Sequence, residues 1–351
     1  MTPAIRTVHW GTGAMGSHAL RVAARTPGLA VAGVVSQRSA ERAAAALARE
    51  APGAVDSAVA GDDLAEVVAR AGGADVVLLA THGHLVDLEA PLAAAFELGL
   101  RVVCIGEDAI YPQAVDAELA ARLETLAKRR AVAMVGTGAN PGYVMDYLPM
   151  VLTAVTTGWS SIRVRRASSL APFGETVLRS MGVGLTPEQF AAAAERGEID
   201  GHVGYDASVA FLAAGLGVSL EIVDNVCEPI VRDRPTELDG HSYPGGVVVG
   251  VEQRCRAVAA TGQSVILEHP QRLGRLDGEE PLHDLIELDG GDLLRARISP
   301  ALDGGVATVA LMINLIPALM RAEPGIHTIA SLPLTPFDAP EARGRVAAAN
   351  I

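Results

Sequence analysis

The stretch Ile5–Gly16 (IRTVHWGTGAMG) restricts what this chain can fold into more than any other. A short apolar run passes straight into Gly11-x-Gly13-x-x-Gly16, and a helical pattern follows from His18 to Arg25. The three glycines answer different demands. Gly11 makes a tight turn, Gly13 puts no side chain between backbone and a pyrophosphate, and Gly16 lets a helix pack closely on the strand before it. The helix N-terminus adds free N–H groups and a positive dipole end that suit phosphate. Such a motif is weak alone, but the flanking strand and helix give it the context of a dinucleotide-binding turn, with Thr12, Ala14 and Met15 beside the ligand.

The spacing downstream repeats the strand-helix rhythm. Apolar runs at Leu29–Ser36, Ala74–Thr81, Arg101–Ile105 and Ala131–Val135 read as buried strands. Helices are predicted from Ala40 (capped by Ser39) to Arg49, from Asp62 or Asp63 to Gly72, over Leu85–Leu98 and over Gln113–Arg130. Near-continuous apolar strands alternating with helices mean a parallel sheet covered on both faces. Residues 1–140 therefore read as a Rossmann domain. A helix is predicted from Pro141 to about Thr157, with Asn140 as its cap. Longer strands then follow (Glu221–Val231, Gly246–Ala260, Ser264–His269), so 141–305 reads as an α+β substrate and dimerisation domain with a mostly antiparallel sheet. Residues 306–351 hold a helix, Gly305–Ala322, and a tail expected to return to the first domain or the seam beside it.

Composition narrows the function classes. Twenty-eight basic against 41 acidic residues give a net charge of −13, which argues against a nucleic-acid partner. Three scattered cysteines with no C-x-x-C fit a reducing compartment better than disulfides or zinc. Val306–Met320 contains Asn314 and Pro317 and is too short to span a bilayer. No leader-like segment precedes the first strand, and a cytoplasmic location is the expectation.

Candidate site residues sit at predicted strand ends. After the second strand, where an NAD site usually carries Asp or Glu, stands Ser36-Gln37-Arg38-Ser39. No carboxylate repels a 2′-phosphate there, and Arg38 can stack on adenine and pair with phosphate, so NADP(H) is preferred, with NAD(H) possible. Thr81-His82-Gly83-His84 lies at the carboxyl end of the next strand, where Thr81 and His82 would line the nicotinamide ribose; no further ligand completes a metal set with the histidines. Glu107 and Asp108 leave the following strand, and partial desolvation there would suit a general base, although an acid pair capping a helix reads equally well. Asn140 is either a plain cap or a residue facing the cofactor. His202, between Gly201 and Gly204, has room for a ligand to approach, though a lone histidine is more often structural.

Together the blocks WGTGAMG, IGEDAIYP at 105–112, GTGANPGYVMD at 136–146, GHVG at 201–204 and VATVALMINLIPALMRAEPGIHTIASLP at 306–333 resemble the 2,4-diaminopentanoate dehydrogenase family and its native amine dehydrogenase relatives. The first domain is similar to that of dihydrodipicolinate reductase. The resemblance implies NAD(P)H-dependent interconversion of an amine with a ketone or aldehyde and ammonia. It implies Glu107 as the catalytic carboxylate, with Asp108 where the family usually has a second Glu. Asn140, Pro141, Tyr143, Met145, His202 and Thr308 match pocket positions. Where family members are rich in lysine after the Ile162–Ser168 strand, this chain has Ala171–Arg179, in which Phe173, Val177 and Leu178 would wall a more apolar pocket. A plain ketone or aldehyde then suits it better than a carboxylated diamino acid. An imine reductase of the dihydrodipicolinate reductase kind and a non-catalytic NADP(H) sensor are the alternatives, and a homodimer is the expected assembly.

Overall fold

The computed structural model of the protein describes residues 3–171, 174–199, 201–238, 241–274, 282–334 and 336. They fall into two compact units: one comprises residues up to Gly138 plus the segment from Gly305 onward, the other Ala139–Gly304. None of the described helices is long and apolar enough to cross a membrane.

The first unit begins with β1 (Ile5–Trp10), α1 (Ala14–Ala23), β2 (Leu29–Val35), α2 (Ala40–Glu50), β3 (Val59–Gly61), α3 (Leu64–Arg70), β4 (Val76–Leu79), α4 (Leu85–Glu97), β5 (Arg101–Cys104), α5 (Ala117–Arg129) and β6 (Ala133–Gly136). Short polar side chains start its helices by accepting orphan N–H groups. Ser39 accepts from Arg42 (3.3 Å), Asp63 from Glu66 (2.8 Å) and Asp116 from Leu119 (2.9 Å). The last of these corrects the helix predicted over Gln113–Arg130. Asp116 fixes its start at Ala117, and Pro112–Ala114 forms a separate 3-10 turn. β3 was not foreseen, because three residues are too few to show a period.

The second unit contains α6 (Tyr147–Leu152), β7 (Ser161–Arg166), β8 (Ser168–Ser169), α7 (Glu175–Ser180), α8 (Pro187–Glu195), α9 (Tyr205–Leu216), β9 (Glu221–Arg232), a hairpin of β10 (Thr236–Leu238) and β11 (His241–Tyr243), β12 (Val247–Val258), β13 (Ser264–Arg272), β14 (Asp284–Asp289) and β15 (Leu294–Ile298). Its main sheet runs β15-β14-β7-β13-β12-β9, with β8 beside β13. The sheet is mostly antiparallel, but β13 lies parallel to β7 and β8. Parallel neighbours need a long crossover, and the segment holding α7, α8 and α9 lies between β8 and β13 in the chain. Val144, Met145, Ile162, Val164, Tyr205, Leu212 and Leu267 share the core on one side.

The helix expected from Pro141 begins only at Tyr147. Its cap is Asp146, fully buried, which accepts from Gly142 N–H (2.7 Å), Tyr147 N–H (2.6 Å) and the Ser208 hydroxyl (2.8 Å). Asn140 is therefore not a helix cap, and the Asn140–Pro141 peptide is cis. A proline in the first turn is permitted, but a carboxylate that gathers three donors offers the stronger start.

The chain then returns to the first unit through α10 (Gly304–Asn314), α11 (Ile316–Leu319) and β16 (Gly325–His327). The single helix predicted over Gly305–Ala322 is thus two, divided just before Pro317, which carries no N–H to continue it. β16 joins β6 in parallel, completing a seven-stranded sheet in the order β16-β6-β5-β4-β1-β2-β3.

Candidate functional site

The turn between β1 and α1 is shaped as its glycines require. Gly11 has φ +120°, and a Cβ there would run into the Ala80 carbonyl. A Cβ on Gly16 would strike the Gly11 carbonyl. Gly13 differs, since a Cβ there meets nothing within 4 Å. No protein atom demands glycine at that position, whereas a pyrophosphate laid against the backbone would. Gly13 is also the cap residue just before α1 and provides no side-chain cap, which leaves the N–H groups of the first turn, those of Ala14 and Met15 among them, available to an anion.

Around this turn the predicted cofactor residues divide. The Thr12 hydroxyl donates to Ser36 (3.2 Å), which is buried, and Ser39 is occupied in capping α2. Gln37 and Arg38 are exposed. The Thr81 and Thr137 hydroxyls, just past β4 and β6, are buried and have no hydrogen-bond partner. Unpaired buried hydroxyls at the carboxyl edge of a parallel sheet are what a polar ligand would satisfy. The residues present fit a dinucleotide.

Glu107 opens a 3-10 turn, Glu107–Ile110, just past β5. Its carboxylate lies so close to Gly83 that a Cβ there would overlap Oε2, with Cδ at 3.3 Å. The side chain is half-buried. Burial pushes its pKa above the ordinary carboxylate value, and the Asp108 charge adds to the rise; its own backbone N–H and His84 oppose it. Asp108 is engaged elsewhere: its Oδ2 accepts Leu85 N–H (2.9 Å) at the start of α4 and stands 3.6 Å from His84 Nδ1. His82 and His84 are exposed. Among the described residues no cluster of three or more His, Cys, Asp or Glu is placed to hold a metal ion.

In the second unit a small pocket is lined by Asn140, Pro141, Met145, His202, Tyr205, Ser208 and Leu267, among others. Asn140 Nδ2 bonds His269 Nδ1 (3.1 Å), and the other ring nitrogen bonds the Ser168 hydroxyl (3.1 Å). Both ring nitrogens of His269 are thus engaged by polar neighbours. Its ring lies 4.8 Å from that of His202, centroid to centroid. Burial holds His202 down at about 4 and His269 well below its usual value, with Arg166 contributing to both. Arg166 is buried and paired with Asp284 (3.0 Å), and its other amino group donates to the Leu302 carbonyl (3.0 Å). The Tyr205 hydroxyl is buried without a partner.

The structure thus groups Asn140, Pro141, Met145 and His202. Tyr143 stacks obliquely on Tyr147, with centroids 6.1 Å apart. Val177 packs against Leu170, Met181 and Phe190. Thr308 belongs to the first unit, on α10. Phe173 lies outside the described residues. The glycine before His202 has a packing reason: Gly201 has φ +60°, and a Cβ would come within 2.7 Å of Gln253 Oε1, which accepts His202 N–H. Sequence reading missed Arg166, Ser168, Tyr205, Gln253, His269 and Asp284. His269 and Arg166 sit inside strand patterns, and only their polarity at inward positions marks them.

A parallel sheet with a glycine turn and unpaired hydroxyls at its carboxyl edge, joined in sequence to a mixed sheet, defines a Rossmann-type dinucleotide-binding protein with a separate α+β unit. The model of the 2,4-diaminopentanoate dehydrogenase C-terminal domain matches residues 143–344. The 2,4-diaminopentanoate dehydrogenase of Acetoanaerobium sticklandii is 32% identical over 262 residues, 74% of each chain. The chain belongs to the 2,4-diaminopentanoate dehydrogenase family. An amine dehydrogenase structure from Mycobacterium smegmatis shares the fold at TM-score 0.82 and 22% identity, covering 96% of this chain and 98% of that one. More distant is GenD2 from gentamicin A biosynthesis, solved in complex with NAD (TM-score 0.53, 18% identity, 85% and 73% covered).

Proposed function

We propose that the protein is an NAD(P)H-dependent amine dehydrogenase that aminates a ketone or aldehyde with ammonia and, in reverse, deaminates the amine oxidatively. Membership of a dehydrogenase family supports the class. The observation that carries the chemistry is Glu107, a half-buried acid of raised pKa at the carboxyl edge of a dinucleotide-binding sheet.

A bound nicotinamide supplies the hydride. Glu107 does the proton work: its carboxylate accepts an N–H of ammonia, takes that proton as nitrogen adds to the carbonyl carbon, and passes it to the carbonyl oxygen to give the carbinolamine; a second proton, brought in by ammonium, is then delivered through Glu107 to the hydroxyl as it leaves as water. The resulting iminium is a cation, and the fixed negative charge then stabilises it as an oxyanion hole stabilises an alkoxide, with signs reversed. Asp108 is the weaker candidate, because Leu85 N–H already occupies its carboxylate.

Exposed Arg38 supports a preference for NADP(H), with NAD(H) accepted. Arg38→Ala should raise KM for NADPH about 10-fold or more while leaving NADH nearly unaffected; equal effects would refute the preference. In the second unit Arg166 is neutralised by Asp284 and both histidines are held uncharged, which suits an uncharged carbonyl substrate better than a diamino acid. A cytoplasmic homodimer completes the reading, and light scattering tests the assembly.

The experiment is NADPH oxidation with small ketones and aldehydes, with and without ammonium, at alkaline pH. Turnover that needs both carbonyl and ammonium is expected, and Glu107→Gln should lower kcat about 10²-fold or more with NADPH binding preserved. Turnover without ammonium would make it a carbonyl or imine reductase; tight NADPH binding without turnover would make it a sensor.

A further inference from the structure

The His82–His84 loop and the Glu107–Asp108 turn are fastened to each other at three points. Asp108 N–H donates to the Gly83 carbonyl (3.1 Å), Asp108 Oδ2 accepts Leu85 N–H (2.9 Å), and the same oxygen faces His84 Nδ1 at 3.6 Å. Two glycines make the approach possible. A Cβ on Gly106 would come within 2.6 Å of both the His82 carbonyl and Leu88 Cδ1, and one on Gly83 would overlap the Glu107 carboxylate. Asp108 is buried, so its charge is little screened from its neighbour in sequence.

We infer that Asp108 is a positioning residue for Glu107: it locks the His82–His84 loop against the strand end so that Gly83 seats the Glu107 carboxylate, with its own carboxylate held beside it. The Asp108 charge adds to the burial that already disfavours ionisation of Glu107, and His84 partly counters it. The inference rests on Glu107 being the reacting acid. Burial does most to raise the Glu107 pKa and its own backbone N–H opposes it; of the charged neighbours, Asp108 raises it further and His84 lowers it. Cys104, at the end of β5, is a neutral thiol, pushed up to about 12 by burial.

The sign follows directly. Removing the Asp108 charge while keeping an acceptor for Leu85 N–H makes Glu107 easier to ionise, so activity that needs the carboxylate persists to lower pH. Removing the acceptor as well frees the loop.

The test is the pH profile of kcat for ammonium-dependent turnover in wild type, Asp108→Asn, Asp108→Ala and Glu107→Gln. Asp108→Asn should retain turnover and shift the acidic limb toward acid. Asp108→Ala should lose about 10²-fold in kcat, since misplacement by about an ångström has that cost. If Asp108→Asn is as inactive as Glu107→Gln, Asp108 reacts itself and the inference is overturned. An unmoved acidic limb in an active Asp108→Asn also overturns it. Should Asp108→Ala not fold, Asp108→Asn decides alone, with NADPH binding as its check of folding. Full activity in Glu107→Gln would instead defeat the reading of the active acid, a result distinguishable from either.

Discussion

Replacing Gly83 by alanine isolates the seat of the Glu107 carboxylate. Gly83 is not in the left-handed region, so alanine imposes no backbone strain there. The added methyl is aimed at Glu107, whose Oε2 it would overlap and whose Cδ and Oε1 lie at 3.3 and 3.9 Å. Restoring ordinary van der Waals separation moves the carboxylate by about 1 Å. A displacement of that size at a reacting group costs about 10² in rate, equivalent to about 2.7 kcal/mol of transition-state stabilisation. Steady-state kinetics with saturating NADPH measures it directly: kcat falls about 100-fold, and NADPH affinity, read by fluorescence titration, does not. Gly83→Ala with wild-type kcat would mean that the carboxylate position seen here is not the working one.

Two further outcomes follow from the buried charges. Glu107 has a folded-state pKa above its unfolded value, so the folded form gains protons more readily and wild-type stability falls as pH rises through that window. Glu107→Gln should therefore melt above wild type at alkaline pH, the gap closing as pH falls; a pH-independent gap would contradict the burial effect. For the Arg166–Asp284 pair, burial lowers the arginine and raises the aspartate despite their contact, so desolvation outweighs attraction at both ends. Asp284→Ala, by stranding Arg166, should cost about 3–5 kcal/mol in denaturant unfolding. Arg166→Met combined with Asp284→Leu should cost far less than that single change, and equal losses would refute the account.

The first sheet was legible because parallel strands buried on both faces leave continuous apolar runs, and because Ser39 and Asp63 sit where helix caps belong. β3 and β16 were not, since three-residue strands carry no period and their place is set by neighbours far off in sequence. Glu107 was visible as an acid leaving an apolar strand. Asp108 could not be separated from it by sequence, because the Leu85 N–H that engages it lies 23 residues away. The helix expected at Pro141 failed for a related reason. Asn140 and Asp146 are both good caps in isolation, and the choice fell to Asp146 through Ser208, 62 residues on, while Asn140 was drawn to His269 across 129 residues. His269 and Arg166 owe their significance entirely to such pairings.

β16 places the final strand of the dinucleotide-binding sheet after the whole second unit in the order of synthesis. A growing chain can pair β1 through β6 early, yet β6 remains an open edge, its N–H and C=O groups unpaired on one side, until Gly325–His327 is delivered. The second unit, by contrast, is contiguous and can complete itself first. Glu124 on α5 waits beside that edge for the Ile326 N–H. A chain truncated after Gly304 would thus carry the whole second unit beside an unfinished first sheet whose β6 edge lacks its partner.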